Sequence, residues 1–235
     1  MSRQRSARKP SVAPSDEAEA GRPAPAPDWR ASKLTQRRYD RQAWTYDLNP
    51  MQALMELAFA ARLRRRQWEK VGGRVLEVGV GTGRNMPYHP AQADVTAVDL
   101  SPKLLRRAVG KAQKRGAGPE FALMDAQSLG LGEGGFDWAV TTFVFCSVPD
   151  PVRGLSEMRR VLKPGGRVIL LEHVRSRNRI LGWIMDRLNP LAVRLAGANI
   201  NRDTVANVSR AGFEVTDVGS FMGGIVKLIE ARKRG

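Results

Sequence analysis

Acidic residues are scarce in this chain: 23 Asp and Glu stand against 39 Lys and Arg, leaving a formal charge of +16. Cysteine is scarcer still. The single one, Cys146, excludes an internal disulfide and suits a reducing, cytoplasmic setting, and its small apolar side chain suits packing. No run of about 18 apolar residues occurs, so no segment reads as a bilayer span. No His/Cys/Asp cluster has metal-ligand spacing, and no metal is expected. The charge imbalance favours an anionic partner: nucleic acid, an anionic membrane surface or an acidic substrate.

What is present falls into three parts. Residues 1–28 are rich in Pro, Ala, Ser and charge and hold little to bury, so they read as a disordered tail without the apolar core of a secretory signal. Residues 29–72 bring aromatics in "QRRYDRQAWTYDLNP", followed by a segment with no Gly and no Pro after its first residue, Pro50–Val71. There Met51, Leu54, Met55, Ala58, Phe59 and Leu63 recur at helical spacing. The period predicts an amphipathic helix with a basic cluster, Arg62, Arg64, Arg65 and Arg66, able to rest on an anionic membrane surface.

Residues 73–235 alternate short apolar runs with helical patterns. Strands are expected at Arg74–Gly79, Asp94–Leu100, Glu120–Asp125, Phe136–Val144 and Gly166–Val174. Ser101 followed by Pro102 reads as an N-cap and first helical position. Such alternation implies a parallel sheet covered on both faces. An irregular, partly helical insert is expected at 178–199, then a helix near Arg202–Ala211. Two closing strands, "FEVTDVGSF" and "GIVKLIEAR", are joined by Met222–Gly224, too short for anything but antiparallel pairing. The expected fold is α/β, with a seven-stranded mixed sheet.

The first strand runs into "LEVGVGTGRN", with Gly79, Gly81 and Gly83 at alternate positions. In this architecture a Gly-rich turn after the first strand holds a ligand at the carboxyl edge of the sheet. A pyrophosphate fingerprint needs G-x-G-x-x-G, and the sixth position here is Arg84; a phosphate-cradling G-K-S/T is absent. The loop therefore suits a ligand without a pyrophosphate. Asp99 closes the second strand, where a carboxylate can take both hydroxyls of a ribose. Asp125 in "MDAQSL" can accept from an adenine amino group, with Ala126 offering an amide. Glu77 is a charge inside an apolar strand and needs a partner, whether a ligand cation or loop amides.

These motifs, together with "FDWAVTTFVFCSVPDP" and "EMRRVLKPGGRVILLEHV", resemble the class I S-adenosylmethionine-dependent methyltransferases over roughly Tyr39 to Lys233. The resemblance implies strand order 3-2-1-4-5-7-6 with strand seven antiparallel, and S-adenosylmethionine as cofactor. It places Glu77, Gly79, Gly81 and Gly83 at the methionine end, Asp99 and Leu100 at the ribose, Asp125 and Ala126 at the adenine, and Thr141 to Phe143 beside the sulfonium. Tyr39 and Tyr46 are expected to cap the cofactor, with Tyr46 and His173 as candidate catalytic residues.

The acceptor is less legible. Methyl transfer from a sulfonium relies on orientation and exclusion of water, so no acid–base residue need stand out. Methyltransferases of exocyclic base nitrogens carry an Asn/Asp-Pro-Pro-aromatic tetrad after the fourth strand; "TTFVFCSVPD" lacks it, which counts against nucleic acid. The chain is most similar to the subgroup acting on lipids and lipophilic small molecules. Phosphatidylethanolamine N-methyltransferases lead, with quinone C-methyltransferases and thiol S-methyltransferases as alternatives. A non-catalytic nucleic-acid-binding protein is the reading of another class. In the lipid reading the protein is cytoplasmic and peripherally membrane-associated, and the insert forms the acceptor-side lid.

Overall fold

The computed structural model describes residues 26–48 and 59–235. Seven strands, β1 (Arg74–Val78), β2 (Asp94–Asp99), β3 (Glu120–Leu123), β4 (Phe136–Thr142), β5 (Leu162–His173), β6 (Phe213–Phe221) and β7 (Val226–Lys233), form one sheet. Its order is β3-β2-β1-β4-β5-β7-β6. The pairs among β1 to β5 are parallel, while β7 runs antiparallel to both β5 and β6. Order and strand directions agree with expectation. The short Met222–Gly224 link turns through left-handed backbone, Met222 at φ 52° and Gly223 at φ 64°.

Both faces of the sheet are covered because successive strand residues point to opposite sides. Val75 packs with Trp68 and Val71 on one side, and Leu76 with Leu155 and Met158 on the other. Each fully buried aliphatic or aromatic side chain contributes about 1.5–3 kcal/mol. The helices are α1 (Trp29–Gln42), α2 (Ala61–Trp68), α3 (Pro102–Arg115), α4 (Pro151–Val161), α5 (Arg179–Ala196) and α6 (Thr204–Arg210). Ser101 caps α3, its Oγ accepting from Leu104 N at 3.2 Å with Pro102 in the first turn. Asp150 caps α4 in the same way, accepting from Arg153 N at 3.0 Å.

The elements depart from expectation in several places. The aromatic N-terminal segment is a 14-residue helix, α1, whose cap is Asp28 accepting from Ala31 N. The insert expected to be irregular and only partly helical is one continuous 18-residue helix, α5. Asn178 caps it by accepting from Ile180 N and Leu181 N, Gly197 closes it at φ 73°, and Pro190 is tolerated inside. Both termini were written in the sequence as an Asn before and a Gly after the apolar run. β5 begins at Leu162, ahead of the expected Gly166, because Leu162 already pairs with Phe136. Of the amphipathic segment Pro50–Val71 only the end is described, as α2. Pro50, Met51, Leu54, Met55 and Ala58 lie outside the described residues, as does the tail through residue 25.

α1 and the turn after it are fastened over the carboxyl edge of the sheet. Asp47 accepts from Thr82 Oγ1 at 2.7 Å, Arg84 Nε at 3.2 Å, Arg107 Nη2 at 3.2 Å and Lys111 Nζ at 2.8 Å. Burial alone would raise the Asp47 pKa, but its bonds to Lys111, Thr82 and Arg84 win and hold it down at about 2. A depressed carboxylate stabilises the fold above its unfolded pKa, and that contribution fades as pH falls from about 4 toward 2. Asp47→Asn is expected to lower stability at pH 7 by about 2 kcal/mol. It should also raise amide exchange across Trp29–Leu48, with the gap to wild type closing in acid; equal exchange would break the assignment.

Candidate functional site

The carboxyl ends of β1, β2 and β4 open onto a cleft of about 700 Å³ that is partly open to solvent. Its walls come from the loop after β1 (Gly79, Gly81), the end of β2 (Asp99, Leu100), Asp125 and Ala126, and the loop after β4 (Thr142, Phe143, Val144). α1 closes it with Thr35, Gln36 and Tyr39, and the following turn adds Tyr46. The cleft sits where open parallel sheets bind ligands.

Asp99 is buried at one wall, with Oδ2 accepting from Gly81 N and Oδ1 from Ser101 N, each at 2.8 Å. Burial pushes its pKa up to about 6 against the pull of those two amides. Each oxygen keeps a second acceptor site, so two ligand hydroxyls can still be taken. Asp125 is more occupied. It accepts from Ser32 Oγ of α1 at 2.5 Å and from Gln127 N at 2.9 Å, with Gln127 Nε2 beside it at 3.2 Å. Tyr39 and Tyr46 lie 6.4 Å apart between ring centres, and burial raises the pKa of both, keeping the phenols protonated. Arg84 sits over the Tyr46 ring at 5.6 Å.

The three loop glycines divide into different roles. All have positive φ, 76° at Gly79, 57° at Gly81 and 80° at Gly83. A Cβ on Gly79 would strike Val144, and one on Gly83 would strike Met86 Cε and approach Ala108. Only at Gly81 would a Cβ meet nothing within 4 Å. Gly83 is thus a packing glycine and does not line the cleft.

Three other expected residues also stand apart from its lining. Glu77 is 1 % exposed and paired from within the protein, accepting from Asn85 Nδ2 at 2.8 Å and lying 2.9 Å from His89 Nε2. Asn85 in turn accepts from Arg64 Nη1 at 2.6 Å and bonds Thr142 Oγ1 at 3.0 Å. Arg64 is therefore buried and does not belong to a membrane-facing basic cluster, whereas Arg62, Arg65 and Arg66 are exposed. Thr141 is fully buried behind Thr142, its hydroxyl toward Glu172. His173 sits one ring back from the cleft, stacked on Phe143 with centres 4.5 Å apart, and burial lowers its pKa so that the neutral imidazole is favoured.

Several supporting residues carried no sequence signal that was read. Glu172, fully buried on β5, accepts from Val144 N at 2.9 Å and Phe145 N at 3.0 Å and so fixes the β4 loop. Burial pushes its pKa up to about 7. Gln67 of α2 donates to the Thr141 and Ile169 carbonyls and accepts from Thr142 Oγ1 at 2.7 Å. Asp40 accepts from Ser101 Oγ at 2.6 Å and holds α1 against α3. A carboxylate in "LLEHV", or Asp40 and Ser32 beside the aromatics, could have been flagged as polar groups requiring partners. Among the described residues no group of His, Cys, Asp and Glu is placed to hold a metal. Cys146 is buried, and its thiol pKa is pushed up to about 12, chiefly by burial.

A cleft with a spare-valence carboxylate at the end of β2, a side-chain-free position at Gly81 and aromatic covers suits a nucleoside lacking a pyrophosphate. The comparisons agree. A methyltransferase domain family model matches residues 76–170. A demethylmenaquinone methyltransferase of Paenarthrobacter aurescens is 32 % identical over 70 % of this chain and 71 % of its own. A phosphatidylethanolamine N-methyltransferase of Cereibacter sphaeroides is 43 % identical over 43 % of this chain, and the match spans about half, 51 %, of that relative's length. In fold, a SAM-dependent methyltransferase from Thermotoga maritima superposes with a TM-score of 0.65 at 24 % identity, covering 84 % of this chain and 99 % of that one. The chain belongs to the class I S-adenosylmethionine-dependent methyltransferases, and S-adenosylmethionine is the cofactor of that family.

The glycine roles are separable by substitution. Gly83→Val is expected to lower the melting temperature by several degrees, through overpacking against Met86 and Ala108 at a cost of about 1–3 kcal/mol, added to the left-handed backbone penalty at φ 80°. Gly81→Val should cost only the left-handed backbone penalty of about 1–2 kcal/mol yet abolish cofactor binding in calorimetry. Unimpaired binding by Gly81→Val would show that the cleft is not the cofactor site.

Proposed function

We propose that the protein transfers a methyl group from S-adenosylmethionine to a lipid acceptor, the amine of phosphatidylethanolamine. The observation that carries the lipid reading is α5. Ile180, Trp183, Ile184, Leu188 and Leu191 are all exposed, Ile180 at 73 % and Leu191 at 54 %, and their spacing sets them on one helix face. Exposed Arg179, Arg187 and Arg194 accompany the stripe, with Arg187 over the Trp183 ring at 5.1 Å. An apolar stripe flanked by cations is the pattern of a helix lying in the interface of an anionic bilayer. The chain after the helix reaches the β4 loop and α1, the elements that carry two walls of the cleft. Asn199 N donates to Cys146 O at 2.8 Å in the β4 loop, and Gly197 lies against Arg38 of α1. Exposed Arg62, Arg65 and Arg66 extend the cationic side in this reading, each contributing about 1 kcal/mol toward anionic lipid. Among the described residues no helix is long and apolar enough to cross a membrane.

The cofactor, when bound, supplies an activated methyl group on a sulfonium. The residues of the chain hold and orient the reactants. In this reading Asp99 takes the ribose hydroxyls, Leu100 and Ala126 flank the nucleoside, and Asp125 shares its carboxylate between Ser32 and the adenine amine. Gly79 and Gly81 let the methionine arm approach the backbone. Tyr39 and Tyr46 exclude water from above, which strengthens orientation within the closed cleft. Glu77, Gly83 and Thr141 act behind this layer by holding Asn85, Met86 and Glu172. His173 faces the acceptor side through Phe143, where a neutral imidazole can position the ring against which an amine would dock.

A second reading keeps the chemistry and makes the acceptor a quinone ring carbon, as the name of the Paenarthrobacter relative suggests for that protein. Incubation with labelled S-adenosylmethionine and ethanolamine-lipid vesicles is expected to label methylated ethanolamine lipids. Placing aspartates at Trp183, Leu188 and Leu191 should reduce that labelling at least tenfold while leaving cofactor binding intact. Label only in a quinone fraction would replace the lead reading by the second. Because hydroxyls donate to the ionised form of Asp99, cofactor affinity should fall as pH drops through about 6. Asp99→Asn is expected to bind more weakly and to lose that pH dependence in the same titration.

A further inference from the structure

A second cavity lies away from the cofactor cleft, between the chain following β5, the start of α6 and the β6–β7 hairpin. It is partly open to solvent and is lined by Ser176, Arg177, Val205, Val218, Ser220 and Lys227 among others. Lys227 is the unusual member. It is 8 % exposed on β7, and its ammonium makes no hydrogen bond or ion pair with any described residue. Its stem is covered by the sheet while its ammonium opens into the cavity beside the Arg177 guanidinium, and two cations converging on one partly open cavity suit an anion.

We propose that this cavity binds a phosphate group between Lys227 and Arg177. The register puts the donors together. Ser220 lies directly opposite Lys227 across the β6–β7 ladder, so the two side chains share a face with Cβ atoms about 5 Å apart. The Ser220 hydroxyl, like the Arg177 guanidinium, has no partner among the described residues. Ser176 is already engaged, donating to Gly223 O at 3.1 Å and accepting from Asn178 N at 3.2 Å, and so serves to fix the loop that carries Arg177. Glu172 lies opposite Lys227 on β5, with Oε1 directed to the Val144 and Phe145 amides and Oε2 buried without a hydrogen-bond partner, and it makes no ion pair with the lysine among the described contacts. The carboxylate nearest Lys227 in effect is Asp203, which caps α6 by accepting from Ala206 N at 3.1 Å and makes no ion pair with the lysine. Burial first, and the neighbouring Arg177 charge second, lower the Lys227 pKa; a bound anion would restore it. Val205 and Val218 give the cavity an apolar wall beside the cations, as suits a phosphate carrying an organic substituent.

The phosphate could belong to a lipid headgroup or to a soluble ester. Assigning it to the headgroup of the acceptor rests on the lipid reading above; the binding itself does not. The test is calorimetric titration of the full chain, without cofactor, using inorganic phosphate and glycerophosphoethanolamine as probes. Wild type is expected to bind both. Lys227→Met should weaken binding about tenfold or more, as loss of a charge-assisted contact does; Arg177→Gln should weaken it less, and Lys227→Arg should retain it. Lys114→Met, at an exposed position on α3, is the control for general charge. Tighter binding of the diester identifies a lipid-type headgroup, and tighter binding of inorganic phosphate a soluble source. The proposal is overturned if wild type binds neither probe, or if Lys227→Met, with an unchanged melting temperature, binds as wild type does. Since the readout is binding alone, failure of lipid methylation would leave this result standing, and the reverse.

Discussion

The carboxyl edge of the sheet is organised by buried carboxylates that hold the loops of neighbouring strands. Asp99 on β2 accepts from Gly81 N in the β1 loop, and Glu172 on β5 accepts from Val144 N and Phe145 N in the β4 loop. Glu77 on β1 reaches the same end through Asn85, which bonds Thr142. Each acid is expensive to bury, and backbone amides or side-chain donors offset that cost. The pKa values of Asp99 and Glu172 rise to about 6 and about 7 because burial outweighs those donors. The cleft between the two loops exists because these contacts hold its walls apart.

Onto this edge α1 is laid as a cover. Asp40, Ser32 and Asp47 fasten it to Ser101, Asp125 and the Thr82–Arg84 turn. The same helix brings Tyr39 over the cleft. Its attachment is polar and partly exposed, which makes it the part of the site with the lowest cost of opening. The strand ends beneath are fixed by the core.

The sheet was legible because its strands are apolar runs with clear breaks, and because a three-residue link leaves antiparallel pairing as the sole option for β7. The carboxylate at the end of β2, Asp99, and the glycine turn facing it were legible from spacing. The packing of Gly83 against Met86 and the internal pairing of Glu77 were not legible, because sequence does not reveal whether a glycine makes room for a ligand or for a side chain, nor whether an acid is paired from inside. α1 escaped notice because its polar composition resembles a linker; its fixing partners, Asp125 and Ser101, lie 93 and 61 residues away. Arg64 was grouped with surface arginines on spacing alone, yet it turns inward to Asn85.

The proposed seat of S-adenosylmethionine is the cleft between the β1 and β4 loops beneath α1. Hydrogen–deuterium exchange with and without the cofactor tests it most directly. Protection is expected at Gly79–Gly83, at Val144–Phe145 and along Thr35–Asp40, with no change at Met222–Gly224. Saturating cofactor that protects none of these loops, or protects only segments outside the cleft, would contradict the account.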